Sequence, residues 1–377
     1  MKKILFLTGT RADYGKIKSL MKQVDNSEEF ELNIFVTGMH MLSKYGLTWK
    51  ELVKDGFENI YKYINQQPNS HMDLALSNTI LGLSNYVHEM KPDLIVIHGD
   101  RLEALAGAIV GAFNNIKVVH IEGGEVSGTI DESIRHAITK FSHIHLVSNE
   151  EAKKRVVQLG EHEENIFIIG SPDIDIMLSD ELPTIEQAKE RYEIEFENYS
   201  IVMFHPVTTE VDQLQSNVKN LMDALIESNE NYIVVYPNND EGTAIILNEF
   251  KRIENDSRFK IFPSVRFEYF LTLLKHSDLM VGNSSAGVRE TGIYGIPSID
   301  IGNRQKNRYD LNTSKNIIHV DGERDEILAA IEKASKLTIE PYALFGDGKS
   351  DEKFIKILKE YQIWDLVIQK SFIDVEY

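Results

Sequence analysis

The chain is built on an alternation. Short apolar runs, bounded by glycine, proline or charge, take turns with longer segments whose apolar residues recur every three or four positions. In the first half, residues 3–9 (KILFLTG), 31–37, 93–98 (DLIVIH), 117–121, 143–147 and 165–169 read as strands. The spacing between them predicts a helix ending near Val24, a helical pattern running to Val53, and helices over 72–90, 102–113, 131–141 and 150–159. Residues 171–198 carry two prolines, many charges and no strand pattern. A second alternating set follows, with strands at 200–204, 232–236, 259–262, 279–281, 298–301 and 316–320. Its helices are expected at 213–227, 243–253, 267–276, 285–294 and 323–335, with a last one at 351–361. Strands that alternate with helices need right-handed crossovers, which give a parallel sheet covered on both faces. The expected class is therefore α/β, two doubly wound Rossmann-like domains facing a cleft. The expected boundaries are 1–170 and 171–350, with the helix at about 351–377 packing back on the first domain.

Charge and composition narrow the partners. A formal net charge of −19 opposes general affinity for nucleic acid or anionic membranes. No cysteine is present, so neither a disulfide framework nor a thiolate metal site can form. Met1-Lys-Lys leads into only a short apolar run before Arg11, and no run is long enough to cross a bilayer. A cytoplasmic location is the expectation. If the ligand is a phosphate, a few arginines and lysines must set up a local positive field against this acidic background.

Ligands of open α/β sheets bind outside the carboxyl ends of the strands, and the unusual polar residues fall there. Arg11 and Asp13 follow the first strand, His40 the second, and His98-Gly-Asp-Arg101 the run DLIVI. His120-Ile-Glu-Gly-Gly-Glu125 follows KVV, His205 follows SIVMF, and Pro237-Asn238 follows YIVVY. The first turn is no dinucleotide fingerprint. It is no P-loop either, because one residue too many separates Gly9 from Gly15-Lys16 and Ile17 stands where Ser or Thr would hold magnesium. Each carboxylate also has a bland role. Asp100 and Glu103, like Thr129 and Glu132, have capping-box spacing, and Asp131 and Arg135 could pair four residues apart on a helix. Against this, Asp100, Glu122 and Asp131 come from successive connections at one sheet edge. Crowded carboxylates raise one another's pKa, which suits proton transfer near neutrality. Gly123-Gly124 would let a ligand approach the backbone. His98-x-Asp100, His120-x-Glu122 and His143-x-His145 could instead supply metal ligands. Core histidines with satisfied partners are commoner, and neither metal nor cofactor is expected.

Residues 280–305 (MVGNSSAGVRETGIYGIPSIDIGNRQ) carry the second pattern. Gly282-Asn-Ser-Ser-Ala-Gly287 breaks an apolar run and opens a helical segment, where backbone N–H groups and the helix dipole favour a phosphate. Glu290 could grip two vicinal hydroxyls, and Arg304 follows the next strand. A phosphate cradle, a carboxylate and an arginine together suit a nucleoside diphosphate.

The motifs TGTRADYGK, HGDRLEALA, HIEGGEVSGTIDESIRHAITK, FHPVTTE, YPNND, GNSSAGVRE and IGNRQ resemble those of the hydrolysing UDP-N-acetylglucosamine 2-epimerases of bacterial sialic acid biosynthesis. The resemblance runs from Lys3 to about Arg308. It implies the two-Rossmann, glycosyltransferase-B type fold and a small-molecule UDP-sugar substrate. The implied reaction converts UDP-N-acetylglucosamine and water to N-acetylmannosamine and UDP through a 2-acetamidoglucal, without metal or NAD. It also implies a homodimer or homotetramer. Motif by motif, it implies a UDP-binding set of Arg11, His205, Asn238, Ser284, Ser285, Glu290 and Arg304. Asp100, Glu122 and Asp131 become the acids and bases, oriented by Arg101 and Arg135. Two alternatives stay open: the same reaction on a UDP-2,4-diacetamido-2,4,6-trideoxy sugar, and a non-hydrolysing epimerase.

Overall fold

The computed structural model describes residues 1–67, 70–127, 130–207, 210–237, 242–306, 308–309, 311, 313–360 and 362–374. The chain forms two compact units, one of residues 1–178 with 344–377 and the other of residues 179–343.

The first unit holds a seven-stranded sheet. Its strands are β1 (Lys2–Thr8), β2 (Phe30–Val36), β3 (Ile60–Lys62), β4 (Leu94–His98), β5 (Lys117–Ile121), β6 (Ile144–Val147) and β7 (Ile166–Ile168). Their order is β3-β2-β1-β4-β5-β6-β7 and every pairing is parallel. Strand β1 shows why these runs are apolar without alternation. Ile4 and Phe6 pack into one core, with the helix Arg11–Asp25, while Leu5 and Leu7 pack into the other, on the opposite face. A strand covered on both faces must bury every side chain.

The second unit repeats the plan with β8 (Ser200–Met203), β9 (Tyr232–Val235), β10 (Phe259–Phe262), β11 (Met280–Gly282), β12 (Ser298–Ile301) and β13 (Ile317–Val320). The order is β10-β9-β8-β11-β12-β13, again all parallel. In both sheets the winding reverses once, between β1 and β4 and between β8 and β11. Connections leave such a switch point in opposite directions and open a crevice there.

The final segment belongs to the first unit for specific reasons. Asp175 accepts hydrogen bonds from the amides of Ser350 and Asp351, each at 2.9 Å, and so caps the helix Ser350–Glu360. Phe354 packs edge-on against Phe6 of β1. Further on, Lys370 donates to the Ser142 carbonyl at 2.7 Å, at the end of the helix Ile130–Phe141, and pairs with Glu161.

Several local features depart from the sequence expectation. The units divide at 178/179 rather than 170/171, because Pro172–Met177 is a helix packed on Arg11–Asp25. Strand β3 is a short edge strand whose Tyr61 stacks on Tyr86 and Phe35. The helical pattern to Val53 resolves into two 3₁₀ turns, Gly38–Met41 and Ser43–Tyr45, and a helix Trp49–Lys54. The helix expected at 285–294 is two four-residue pieces, Ala286–Arg289 and Thr291–Tyr294, meeting at Glu290. Glycines 287, 292 and 295 weaken helical propensity through it.

Candidate functional site

Beside the β1/β4 switch point, over the ends of β4 and β5, the centre is Arg135. It sits on the helix Ile130–Phe141, below its acidic first turn, and is buried. Its Nη2 donates to Asp100 Oδ2, its Nη1 to the backbone carbonyl of Glu122, and its Nε to Ser127 Oγ at 3.1 Å. Ser127 Oγ in turn donates to Asp100 Oδ2 at 2.6 Å. One planar guanidinium thus ties two connections together through three acceptors, which its fixed fork of donors suits and a point charge would not. The spacing of Asp131 and Arg135 allows a pair along the helix, but the structure shows Arg135 reaching across to Asp100. Nor does Asp100 cap the next helix: the N-cap of Leu102–Phe113 is Arg101, with no side-chain cap bond.

Glu122 follows β5 in the left-handed region, φ +62°, where a non-glycine residue is strained by about 1–3 kcal/mol. Its buried carboxylate takes the Ser171 hydroxyl on Oε1, and Oε2 lies 3.1 Å from His98 Nε2. The two glycines that follow, Gly123 and Gly124, are buried. A Cβ on Gly124 (φ +78°) would stand 2.2 Å from the Ala152 carbonyl oxygen, and one on Gly123 would stand 3.0 Å from the His120 ring. Their missing side chains make room for the chain's own packing. Asp131 lies one turn before Arg135. It shares with Asp13, Asp100 and Glu103 the electrostatic surroundings of Arg101.

The residues after β1 and β2 form an adjoining cluster. Thr10 and Asp13 make a reciprocal capping box at the start of Arg11–Asp25, and Asp13 also accepts from the Gly9 amide at 3.0 Å. Asp13 is therefore held as a cap. His40 bonds Thr8 Oγ1 through Nε2 at 3.1 Å and Thr48 Oγ1 through Nδ1 at 2.7 Å. Burial pulls its pKa down to about 4, against the pull of Asp13. Arg11 lies on Glu51, Nη2 to Oε1 at 2.6 Å and Nε to Oε2 at 3.2 Å.

The other candidate histidines have partners inside the fold. His120 Nε2 contacts the Gly99 carbonyl at 2.9 Å and burial pushes its pKa down to about 3. His145 lies 3.1 Å from Glu161, and the Val118 amide donates to His143 Nδ1 at 3.1 Å.

At the β8/β11 switch point the organiser is Asn283, to which the sequence alone assigns no role. Its Oδ1 accepts from the His205 amide at 2.7 Å and its Nδ2 donates to the His205 carbonyl at 2.9 Å. Its own carbonyl accepts from Arg304 Nη1 at 3.1 Å and Gln305 Nε2 at 2.8 Å. Asn283 therefore gathers His205, Arg304 and the Ser284-Ser285 turn. Gly282 makes this possible: at φ +140° a Cβ would stand 2.0 Å from the Met203 carbonyl oxygen. Among the described residues the amides of Ser284 and Ser285 meet no acceptor. The helix behind them, Ala286–Arg289, is only four residues long. The expected dipole contribution is accordingly small, and any anion would be held by the amides themselves. Glu290 is buried at the junction of the two short helices. Asp300 is buried beneath, bonded by Tyr309 at 2.7 Å, and burial raises its pKa. Asn238 lies outside the described residues.

Two parallel, doubly wound units, each with its polar cluster at a switch point, define a two-domain Rossmann-like protein of the glycosyltransferase-B fold class. The family model described as UDP-N-acetylglucosamine 2-epimerase matches residues 22–359, and the chain belongs to that family. It is 50% identical, over all of both chains, to the UDP-N-acetylglucosamine 2-epimerase of Neisseria meningitidis serogroup B. It is 34% identical, over 98% of this chain and 99% of the relative, to the hydrolysing UDP-N,N'-diacetylbacillosamine 2-epimerase of Legionella pneumophila. Among solved structures, a UDP-GlcNAc 2-epimerase from Neisseria meningitidis bound to UDP-GlcNAc superposes with a TM-score of 0.80 at 17% identity, covering 94% of this chain and 99% of that one. Among the described residues no helix is long and apolar enough to cross a membrane.

Proposed function

We propose that the chain is a hydrolysing UDP-N-acetylglucosamine 2-epimerase, releasing N-acetylmannosamine and UDP. The observation that carries this reading is the Arg135 network, which holds the Asp100 carboxylate and the Glu122 backbone beside the β1/β4 switch point. Family membership and the 50% identical relative support the substrate. In this reading a carboxylate removes the proton from C2 of the sugar. The C1–O bond breaks, its electron pair leaving on the β-phosphate oxygen of UDP, and the C–H pair becomes the C1=C2 bond of 2-acetamidoglucal. Water then adds its oxygen at C1, and a proton arrives at C2 from the opposite face. The net change is hydrolysis with inversion at C2. Asp100, Glu122 and Asp131 exchange the protons, and Arg101 and Arg135 supply positive charge beside them. Ser284, Ser285, His205, Glu290, Arg304, Asn238 and Arg11 bind UDP, with Glu290 on the ribose hydroxyls. The C2 proton is weakly acidic, so stabilising the departing diphosphate carries much of the barrier reduction.

Incubation with UDP-N-acetylglucosamine in D₂O tests the reading. The expected products are free UDP and N-acetylmannosamine carrying deuterium at C2. UDP still attached to the mannosamine would make the enzyme non-hydrolysing, and product without deuterium at C2 would refute the glycal route. The Legionella relative supports a second substrate, the UDP-diacetamido-trideoxy sugar, and a higher kcat/KM on that sugar would reassign the specificity.

A further inference from the structure

Glu103 is buried, and the site reading gives it no role. It stands in the first turn of Leu102–Phe113, and its carboxylate lies under the ends of β1 and β2. A Cβ on Gly9 would come within 2.6 Å of Glu103 Cδ, and one on Gly38 within 2.5 Å of Glu103 Oε1. Two glycines leave room for this one side chain. Yet among the described residues Oε1 receives no hydrogen bond, and Oε2 meets Arg101 Nε alone, at 3.4 Å. A buried carboxylate so weakly partnered is unfavourable, and an apolar side chain would avoid that cost.

Its one partner is equally out of place. Arg101 occupies the N-cap of Leu102–Phe113, where the helix dipole disfavours a cation. Of the three arginines at this edge it is the most open. The Arg101 side chain is 43% exposed, against 26% for Arg11 and 7% for Arg135. Arg11 is taken up by Glu51 and Arg135 by its three acceptors. Among the described residues the far end of Arg101 meets the Met39 sulfur, at 3.9 Å.

We infer that Glu103 is a positioning residue: it grips Arg101 by Nε from inside the sheet edge, so that the terminal nitrogens of Arg101 face the diphosphate of the nucleotide sugar. The ligand rests on the reading above, but the grip itself is testable without turnover. Gly9 and Gly38 then have a shared purpose, since either side chain would expel the carboxylate. Asp13, Asp100 and Asp131 surround the same guanidinium. Without Arg101 held outward they would repel a diphosphate.

The test is a double-mutant cycle of Glu103→Gln and Arg101→Ala, read by calorimetric UDP affinity and by kcat/KM on UDP-N-acetylglucosamine. Glu103→Gln keeps the shape and removes the charge. It is expected to weaken UDP binding about tenfold, the loss of one charge-assisted contact, while the melting temperature stays within about 2 °C. In the Arg101→Ala background the same change is expected to have no further effect on UDP affinity. Glu103→Asp, which keeps the charge one methylene shorter, is expected to recover part of the loss, and it serves if the Gln variant folds poorly. Equal losses in both backgrounds would overturn the inference, as would unchanged UDP affinity in Glu103→Gln. If the cycle holds for UDP but wild-type protein does not turn over UDP-N-acetylglucosamine, the reaction assignment fails and the positioning stands.

Discussion

Arg135 and Asp100 are joined across two elements: the guanidinium on the helix Ile130–Phe141 lies on a carboxylate in the turn after β4. The same guanidinium holds the Glu122 carbonyl and Ser127 Oγ. Lysine at 135 keeps the charge but reaches one acceptor at a time. Arg135→Lys is therefore expected to lower kcat by about a hundredfold through misplacement of the carboxylates. The lost charge-assisted bonds are expected to lower stability by about 2 kcal/mol. Steady-state kinetics and urea unfolding measure the two effects. A variant with normal kcat would remove Arg135 from the mechanism.

Arg11 poses the opposite problem, because it is already occupied. In the proposed function it meets the phosphates of UDP, yet in this structure it spends two nitrogens on Glu51. Binding must exchange carboxylate for phosphate. Glu51→Gln weakens the competitor without emptying its space. Both side chains are partly exposed, so the pair is screened and the gain is modest. UDP affinity is expected to rise about three- to tenfold at low salt, and the advantage should shrink as salt is added. Lower affinity in Glu51→Gln would show instead that Glu51 orients Arg11 for the ligand.

The fold was the most legible part of the sequence, because a strand buried on both faces has to be apolar throughout. Lys117–Ile121 could be read directly, with no partner needed to explain it. What escaped was set by contacts distant in sequence. Strand β3, Ile60–Lys62, is half-exposed and takes its place from Tyr86 and Phe35. The break at Glu290 was hidden because apolar spacing continues through it. Arg101, Asp100 and Glu122 stand out by position after strands, Arg135 only by its spacing from Asp131 and by the family resemblance, and the structure lays Arg135 on Asp100 and on the Glu122 carbonyl. Glu103 and Asn283 were not marked. Glu103 sits at a spacing that capping explains, and only the room left by Gly9 and Gly38 shows where its carboxylate goes. Asn283 stands between glycine and serine, as turn asparagines do. Its adjacency to a strand-ending glycine was the available signal.

The proposed roles separate binding from chemistry. Glu290 is placed on the ribose, and Asp131 on the proton transfers. Glu290→Ala is expected to raise the UDP dissociation constant on the order of tenfold or more, with turnover falling mainly through KM. Asp131→Asn is expected to leave UDP affinity within about threefold and to reduce kcat by about a hundredfold or more. Calorimetry with UDP and rates with UDP-N-acetylglucosamine distinguish the two. Equal UDP affinity in wild type and both variants would refute this division.

Acid should destabilise the protein well before its carboxylates titrate, and His120 is one reason. The Gly99 carbonyl can only accept, so Nε2 carries the proton, and Nδ1 is left to accept from Thr139 Oγ1 at 3.2 Å. Burial then holds the folded pKa at about 3, below the ordinary 6.5. His40 behaves alike, at about 4. Below 6.5 the unfolded chain takes up protons that the folded chain refuses, so stability is fully present above 6.5 and is lost as pH falls toward the folded values. Each such histidine contributes at most about 1.4 kcal/mol per pH unit within its window. Glu161, held down to about 2, acts with the same sign but only below its ordinary 4.5. Asp175 and Asp300, whose pKa values burial raises, work in the opposite direction and are common to any His120 variant. Urea unfolding at about pH 7 and about pH 5 should therefore show a smaller loss of stability for His120→Gln than for wild type, whatever the variant's stability at pH 7. Equal losses would mean that His120 takes up its proton in the folded protein and that its burial is not what makes the fold sensitive to acid.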